Sequence, residues 1–327
     1  TLDALHRVTR VSTAAGSTEY ADLRDGRLRE VTYPNGTTAT STYDAAGRVA
    51  TIENEQSGVE VSRYEYGYDA NGNRVEQRET NGGVEEITTY AYDAADRLVE
   101  VAYPDRTTTY AYDGVGNRLS EVEVSASGGT TLRDRSYEYD QRHRLLSITD
   151  SLDPDGAIAY QWDPNGNLRQ RTEAGVPREL FYDTRDQLVE VREPGQLLAF
   201  QYDWQGLRIR KVGPDGVVRY VYDDQSVLQQ TDDQGSTLAK YEYGPDRLLS
   251  LDHATEGRQF YLFDALGSVV DLVRDDGTLQ ARYQWDAWGN RRGGAGESEN
   301  PFGFTGHELD DETGWYYAKA RFYDPEV

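Results

Sequence analysis

The chain repeats one short motif nine times in 327 residues: an aromatic residue, any residue, a second aromatic residue and then aspartate. Clear copies occupy residues 66–69, 110–113, 200–203 and 220–223. In the most regular stretch the aspartate position recurs at residues 183, 203, 223, 244 and 264, in steps of 20 or 21 residues, with glycine in that position at 244. A fixed period of this length predicts a repeat architecture, in which each unit packs mainly on its neighbours.

Each repeat is predicted to be one β-hairpin. The two aromatic residues of a motif lie two positions apart, so on a strand both side chains point to the same face. Two strands of five or six residues, with two turns, account for about 20 residues. The clearest aromatic pairs are Tyr66 and Tyr68, Tyr110 and Tyr112, and Tyr220 and Tyr222.

The aspartate that ends a motif is often followed three residues later by glycine. This spacing is typical of a type I turn, because the carboxylate accepts backbone N–H bonds and glycine takes the left-handed position. We therefore interpret these residues as structural turn residues. The pairs are Asp44 and Gly47, Asp69 and Gly72, Asp113 and Gly116, Asp163 and Gly166, Asp203 and Gly206, Asp264 and Gly267, and Asp286 and Gly289.

Hairpins in series predict an all-β fold in which a spiralling, curved antiparallel sheet forms a wall. A sheet of so many strands twists, and it should curl or close rather than stay flat. The mean hydropathy of −0.80 fits a wall one sheet thick that is wetted on both faces. On the period alone, a propeller or sandwich with an ordinary core is an equal alternative, since blades of about 40–45 residues could each hold two such units.

The charge balance restricts the partners. Lys and Arg number 34 against 58 Asp and Glu, a net charge of −24, which argues against nucleic acid and anionic membranes and suits a cationic partner.

Composition excludes several other classes of protein. The 25 Tyr argue against disorder, and the absence of Cys excludes disulfides. No apolar run is long enough to span a membrane. Because residue 1 is Thr and no Met occurs, we expect a segment of a longer protein, with any export signal upstream of Thr1.

No cofactor or metal site is predicted. Asp69, Asn71 and Asn73 resemble a shortened calcium loop, as do residues 163–167, but a full loop needs more oxygen ligands and a distal Glu. Turn chemistry is the preferred reading. The four His residues are scattered without ligand spacing, and no glycine-rich phosphate loop joins a strand to a helix.

The repeated motif resembles the YD (tyrosine-aspartate) repeat of the Rhs proteins, the C component of insecticidal toxin complexes, WapA-type toxins and teneurins. The resemblance covers almost the whole chain. The last stretch is similar to the Rhs-associated core domain, through residues 261–269, 285–289, 301–306, 311–317 and 320–325 in the family's order. We therefore predict a repeat array at 1–259 and a core domain at 260–327.

The resemblance implies the function of a secreted or cell-surface toxin shell. A hollow cocoon of repeats encloses a C-terminal toxin domain of the same parent protein, and a secretion or delivery apparatus exports it. An acidic shell would suit a cationic toxin. The segment itself is expected not to be an enzyme, with no catalytic residues active in this chain.

Two alternatives come from the same resemblance. The teneurin branch is adhesive, and rows of Tyr and Trp could bind sugars or a receptor. The bacterial members cut themselves by an aspartate-dependent reaction. Asp324 and Arg321 match the entry to that element, so a catalytic role for them is expected only in a longer parent protein. Asp324 would need a second carboxylate nearby, and Asp310, Asp311 and Glu312 are close in sequence.

Overall fold

The computed structural model describes residues 1–13, 16–22, 25 and 27–327. They form thirty strands and two short 3-10 turns, at Pro154–Gly156 and Phe304–Gly306. The strands are β1 Arg10–Thr13, β2 Gly16–Asp22, β3 Leu28–Thr32, β4 Thr37–Tyr43, β5 Val49–Gln56, β6 Val59–Tyr68, β7 Arg74–Asn81, β8 Val84–Tyr92, β9 Leu98–Ala102, β10 Arg106–Tyr112, β11 Arg118–Ser125, β12 Thr131–Tyr139, β13 Leu145–Asp150, β14 Ile158–Trp162, β15 Leu168–Glu173, β16 Val176–Tyr182, β17 Leu188–Glu193, β18 Gln196–Tyr202, β19 Arg208–Gly213, β20 Gly216–Asp223, β21 Ser226–Thr231, β22 Thr237–Tyr243, β23 Leu248–His253, β24 Gly257–Phe263, β25 Val269–Arg274, β26 Leu279–Trp285, β27 Arg291–Gly296, β28 Glu308–Asp310, β29 Trp315–Tyr317 and β30 Phe322–Tyr323.

The prediction of an all-β chain of antiparallel hairpins is confirmed. No helix among the described residues is long and apolar enough to cross a membrane. The chain divides into two compact units. The first contains Thr1–Tyr66, Arg78–Glu85 and Val218–Val327, and the second contains Gly67–Gln77 and Glu86–Val217.

In both units consecutive strands pair with each other. In the first unit antiparallel pairing runs from β1 to β6 and from β20 to β27, and β28–β30 form a separate three-stranded sheet. In the second unit it runs from β8 to β19. The predicted boundary between repeat array and core domain, at residues 259 and 260, rests on the type of motif and not on these compact units. It stays a prediction.

A β-bulge recurs beside the second aromatic residue of the motif. In the β10–β11 hairpin Ala111 is opposite Ser120 and Tyr112 is opposite Arg118, so Leu119 is the extra residue. The same shift occurs at Gln201 and Tyr202 in β18–β19. A bulge bends the strand and increases its right-handed twist. The repeat therefore introduces twist at a fixed place in each hairpin, a feature that the spacing of aromatic residues did not indicate.

In the first unit three layers pack together. Strands β23, β24 and β25 are buried on both faces, whereas a single-layer sheet would alternate between buried and exposed side chains. The N-terminal strands cover one face: Tyr33 packs on Phe260 and its hydroxyl donates to the carbonyl of Tyr261 at 2.8 Å. The C-terminal segment covers the other face, where Phe302 meets Tyr241 edge to face at 5.2 Å between ring centroids.

We expect the two glycines of the Asp113–Asn117 turn to respond differently to alanine. Gly116 has a φ of +101°, while Gly114 has no positive φ, and a Cβ at either position would meet nothing within 4 Å. Gly116→Ala should therefore destabilise the fold by about 1–2 kcal/mol through backbone strain alone. Gly114→Ala, the matched control, should be neutral or stabilising by up to about 1 kcal/mol. Urea denaturation of both variants measures the change in the free energy of unfolding. Equal losses in the two variants would contradict the expected difference.

Candidate functional site

The aspartate–glycine pairs lie in tight turns at the ends of the motif strands. In all seven pairs the glycine N–H donates to the aspartate carbonyl at 3.0–3.3 Å, which closes a four-residue turn. All seven glycines have positive φ values, between 81° and 101°. Their assignment as structural turn residues stays a prediction, which substitution would test.

The aspartate carboxylates of these turns bind the turn itself. In the first pair, Asp44 Oδ1 accepts from the backbone N–H of Arg48 at 2.9 Å, and Oδ2 accepts from its Nε at 2.7 Å. These bonds lower the pKa of Asp44 below its usual value, and the bond from the backbone N–H of Arg48 has the largest effect. In the shortened calcium-like loop, Asp69 accepts in the same way from Asn73. Among the described residues, no three His, Asp or Glu side chains cluster as a metal would require.

Four further turns of this type have no glycine, and the aspartate–glycine spacing missed them. The left-handed position there is occupied by His6, Asp96, His143 and Asp186, with φ values of 62°, 58°, 61° and 59°. Asp96 Oδ1 accepts from the side-chain amides of Asn71 at 2.9 Å and Asn73 at 2.7 Å, in the preceding repeat. Asp96, in the glycine position, thus links neighbouring turns. The signal in the sequence was Asp followed four residues later by Arg, as at Asp93 and Arg97. In the turn that contains Asp186 this residue is Gln187 instead.

The two aromatic residues of a motif have different environments. The first is buried, as at Tyr66, Tyr110 and Tyr220, which are 8%, 8% and 5% exposed. The second is half-buried, and its polar atom often donates to a backbone carbonyl of the preceding repeat. Tyr68 and Tyr222 are half-buried in the same way. The donor–acceptor pairs are Tyr43 to Leu28 at 2.6 Å, Tyr92 to Arg74 at 3.0 Å, Tyr112 to Leu98 at 2.7 Å, Trp162 to Leu145 at 2.7 Å, Tyr202 to Leu188 at 2.6 Å, and Trp285 to Val269 at 2.8 Å.

Arginine completes the contact between repeats. The guanidinium of Arg97 lies 5.1 Å from the centroid of the Tyr112 ring while its Nε donates to Asp93 Oδ2 at 2.7 Å. Arg118 likewise stacks on Tyr110 and Tyr137, at 5.4 and 5.3 Å. Arg97 thus joins the carboxylate of its own turn to an aromatic ring, whereas Arg118 pairs with Glu121 at 3.0 Å. The motif residues are therefore occupied with holding hairpins side by side.

The glycine in place of aspartate at position 244 has a steric cause. A Cβ at Gly244 would lie 2.3 Å from the hydroxyl oxygen of Tyr20 and 3.3 Å from Leu249. Tyr20 belongs to β2 and Gly244 follows β22, so an N-terminal strand reaches this turn within the first unit. The irregular repeat thus marks a position where the N-terminal strands cover the later ones.

A buried polar cluster joins N-terminal and C-terminal strands of the first unit. Asp271 is fully buried; its carboxylate accepts from Ser62 Oγ at 2.6 Å and from Arg282 Nε at 2.6 Å. Arg282 also donates to the carbonyl of Val61 at 2.7 Å, and Asn54 donates to Ser62. Burial raises the pKa of Asp271, which Arg282 opposes. The sequence did not indicate this cluster, because Ser62 and Val61 are more than 200 residues from Asp271 and Arg282.

A second buried ion pair lies in the same unit. Glu79 and Arg292 are 5% and 7% exposed at the side chain, with Nη2 and Oε2 3.0 Å apart. Gln284 also donates to Glu79, at 3.2 Å. Both clusters bury charged groups away from water, so each charged group needs its partners to offset the cost of desolvation.

The C-terminal motif residues pack together on the first unit. Trp285 meets Phe304 and Tyr316 edge to face, at 6.4 and 6.5 Å. The hydroxyl of Tyr316 donates to the carbonyl of Gly289 at 2.9 Å, and that of Tyr323 to the carbonyl of Trp288 at 2.6 Å. These contacts attach the three-stranded sheet to the turn that follows β26.

Asp324 and Arg321 lie in this C-terminal segment. Asp324 Oδ1 accepts from the backbone N–H of Glu326 at 3.0 Å, and the next residue, Pro325, is buried. Arg321 is exposed, and its carbonyl accepts from the N–H of Ala318 at 2.8 Å. This is the arrangement of a turn. Their catalytic role stays a prediction about the longer parent protein.

Comparison with known proteins gives a consistent picture. A family profile described as Teneurin YD-shell matches residues 32–327. The tRNA3(Ser)-specific nuclease WapA of Bacillus spizizenii is 30% identical over 254 residues, covering 72% of this chain and 10% of that protein. The double-stranded DNA deaminase toxin A of Burkholderia cenocepacia is 28% identical over 352 aligned positions, covering 93% of this chain and 23% of that protein.

The solved structures agree on the fold. A chain in the structure of the Photorhabdus luminescens Tc holotoxin pore superposes with a TM-score of 0.77 at 16% identity, covering 99% of this chain and 19% of that chain. The chain thus spans less than a quarter of the length of these relatives.

The hydroxyl of Tyr112 offers a test of the contact between repeats. Tyr112→Phe removes the donor to the Leu98 carbonyl and keeps the ring, so we expect a loss of about 1 kcal/mol in the free energy of unfolding. The control is Tyr64→Phe, because the Tyr64 hydroxyl is buried and finds no hydrogen-bond partner among the described residues. Urea denaturation should show little change for the control; an equal loss in both variants would refute the assigned bond.

The buried cluster should respond strongly to loss of its cation. Arg282→Met leaves the Asp271 carboxylate buried without its ion-pair partner, so we expect destabilisation by about 3–5 kcal/mol. The double variant Asp271→Asn/Arg282→Met should recover part of that loss. Arg10→Met is the control: Arg10 and Glu19 are 49% and 45% exposed, and such a pair contributes at most about 1 kcal/mol. If thermal unfolding shows the same loss of stability for Arg10→Met and Arg282→Met, this expectation is wrong.

Proposed function

This chain belongs to the teneurin YD-shell family, and from that premise we propose that it is a length of shell wall enclosing a toxin domain of the same parent polypeptide. The proposal rests on the hydrogen bonds that the motif residues make in the structure. Its aspartates bind their own turns, and its second aromatic residues donate to the preceding repeat. Residues arranged in this way hold a sheet together.

We assign no catalytic activity to this segment. Its relatives bear the names of nucleases and of a deaminase toxin, and the match covers 10–23% of the two described above. We infer that those activities belong to other parts of their chains. Self-cleavage through Asp324 and Arg321 is proposed only for a longer parent protein, because Asp324 here accepts a hydrogen bond within its own turn.

The proposed division of labour follows the motifs. Residues 1–259 supply the repeated hairpins, and residues 260–327 supply the segment that covers the aromatic face of β22–β26. Phe302 on Tyr241, and Tyr316 near Trp285, support the second assignment. A cover on the last hairpins would close the wall at that end.

Charge supports a cationic cargo, and a composition without Cys is compatible with a location outside the producing cell. The chain carries a net charge of −24, and an acidic enclosure attracts a basic domain while remaining soluble. Absence of Cys removes any dependence on redox conditions, so the wall would fold equally well in reducing and oxidising surroundings. We propose a secreted or cell-surface protein exported by a delivery apparatus.

Protection from protease in the full-length parent protein tests the proposal. We expect the toxin domain to be digested far more slowly within the parent than as a free domain, because the wall excludes the protease. The Arg282→Met substitution should expose the domain, while the Arg10→Met control should not. Imaging should reveal an enclosed space. Digestion of the wild-type parent at the rate of the free domain, or density that is solid throughout, would overturn it.

A further inference from the structure

Four asparagines of the chain are followed directly by glycine, a pair whose side-chain amide is open to attack by the backbone. Glycine has no side chain to hinder its own backbone nitrogen, so that nitrogen can approach the preceding asparagine closely. The pairs begin at Asn35, Asn71, Asn81 and Asn165. The structure gives them different surroundings, and the pair at Asn81 differs from the other three.

In the other three pairs a turn binds the glycine N–H. The Gly72 N–H, for example, lies 2.8 Å from Asp69 Oδ1 in addition to its backbone bond. A nitrogen bound in this way has to leave the turn before it can attack the asparagine. The backbone bonds run from Gly36 to the carbonyl of Tyr33 at 3.0 Å, from Gly72 to that of Asp69 at 3.2 Å, and from Gly166 to that of Asp163 at 3.2 Å.

The side-chain amides of the same three asparagines are bound as well. Attack by the backbone requires the amide to rotate toward the following nitrogen, so each of these bonds would have to break first. The amide nitrogen donates from Asn35 to the carbonyl of Arg274 at 2.8 Å, from Asn71 to Asp96 Oδ1 at 2.9 Å, and from Asn165 to Asp186 Oδ1 at 3.1 Å.

The pair at Asn81 has neither restraint. Gly82 and Gly83 form the exposed two-residue loop between β7 and β8, and their φ values of 58° and 81° are those of a type I′ hairpin loop. Among the described residues the Gly82 N–H donates no hydrogen bond. Asn81 Oδ1 has no hydrogen-bond partner in the described part of the chain, and Nδ2 makes one long contact, 3.5 Å from Glu79 Oε2.

We propose that Asn81 is a site of spontaneous deamidation, which places a carboxylate beside Glu79 at the contact between layers of the first unit. The backbone nitrogen of Gly82 bonds to Cγ of Asn81. The bond from Cγ to Nδ2 breaks, and Nδ2 leaves as ammonia with the proton that the Gly82 nitrogen loses. Water then opens the cyclic imide to aspartate or isoaspartate. The reaction consumes water, releases ammonia and needs no oxidant or reductant.

The new carboxylate enters a place where the neighbouring cations are already paired. Arg292 pairs with Glu79 at 3.0 Å, and Arg282 pairs with Asp271 at 2.6 Å. The loop lies close to them, because a Cβ on Gly82 would be 3.8 Å from Arg282 Nη1. A second carboxylate beside the buried Glu79 repels it, and isoaspartate also adds a carbon to the backbone at the end of β7. The modification should therefore weaken the contact of β7 with β26 and β27.

Incubation of the folded 327-residue chain in heavy-oxygen water at mildly alkaline pH tests the site. Peptide mapping by mass spectrometry then measures the heavy oxygen incorporated at each pair, which excludes modification during the digestion. We expect Asn81 to react at least about tenfold faster than the other three asparagines, because hydrogen bonds must break there before the ring closes. In concentrated urea, which removes those bonds, the four rates should become similar.

The internal controls are Asn35, Asn71 and Asn165, which share the same following residue. Equal rates at all four pairs in the folded chain would overturn the proposal. So would a folded chain that suppresses the reaction of Asn81, relative to urea, as strongly as that of Asn71.

Asn81→Asp tests the consequence of the modification. It should lower the midpoint of urea denaturation, and circular dichroism should confirm that the variant is folded. The control Gln201→Glu adds the same charge at an exposed position on β18, in the second unit, and should not lower the midpoint. Equal losses in both variants would refute the assigned effect on Glu79. The site does not depend on the enclosure role, so either could fail alone.

Discussion

The hydrogen bond from the second aromatic residue of one repeat to a backbone carbonyl of the preceding repeat is the interaction on which the repetition depends. Tyr112 and Leu98, or Trp162 and Leu145, are joined in this way across consecutive hairpins. The acceptor lies just after the preceding Asp turn, so the turn must place it correctly. Each neutral bond contributes only about 1 kcal/mol, and the effect comes from its recurrence. A repeat protein gains stability by summing such neighbour contacts.

The first unit adds a different kind of interaction. Asp271, Arg282 and Ser62 form a buried hydrogen-bonded network, which joins strands distant in the sequence. Burying an ion pair gives little net stability, but removing one member is costly. Such a cluster therefore penalises incorrect pairing of the layers more than it stabilises the correct one. The aromatic contacts of Phe302 and Trp285 on the other face are less specific in geometry and supply apolar burial.

Much of the repeat could be predicted because its determinants are local. The spacing of Tyr110, Tyr112 and Asp113 indicated a strand followed by a turn, and the all-β fold follows from that pattern. The bulge at Leu119 was missed, because it depends on how the partner strand pairs. The left-handed Asp96 and His143 were also missed, because glycine is the residue that most strongly indicates a left-handed position.

The sequence alone determined the period, the antiparallel hairpins and the family, because side-chain alternation and turn chemistry act over a few residues. Only the tertiary structure decided which strands cover which. The Tyr20 hydroxyl excludes a side chain at Gly244, and Ser62 meets Asp271, although each pair is separated by more than 200 residues. The hydrogen bond from Lys319 to Gln225 has the same origin, because the two residues come from distant parts of the chain. Contacts of that range depend on how the layers stack, which no local pattern encodes.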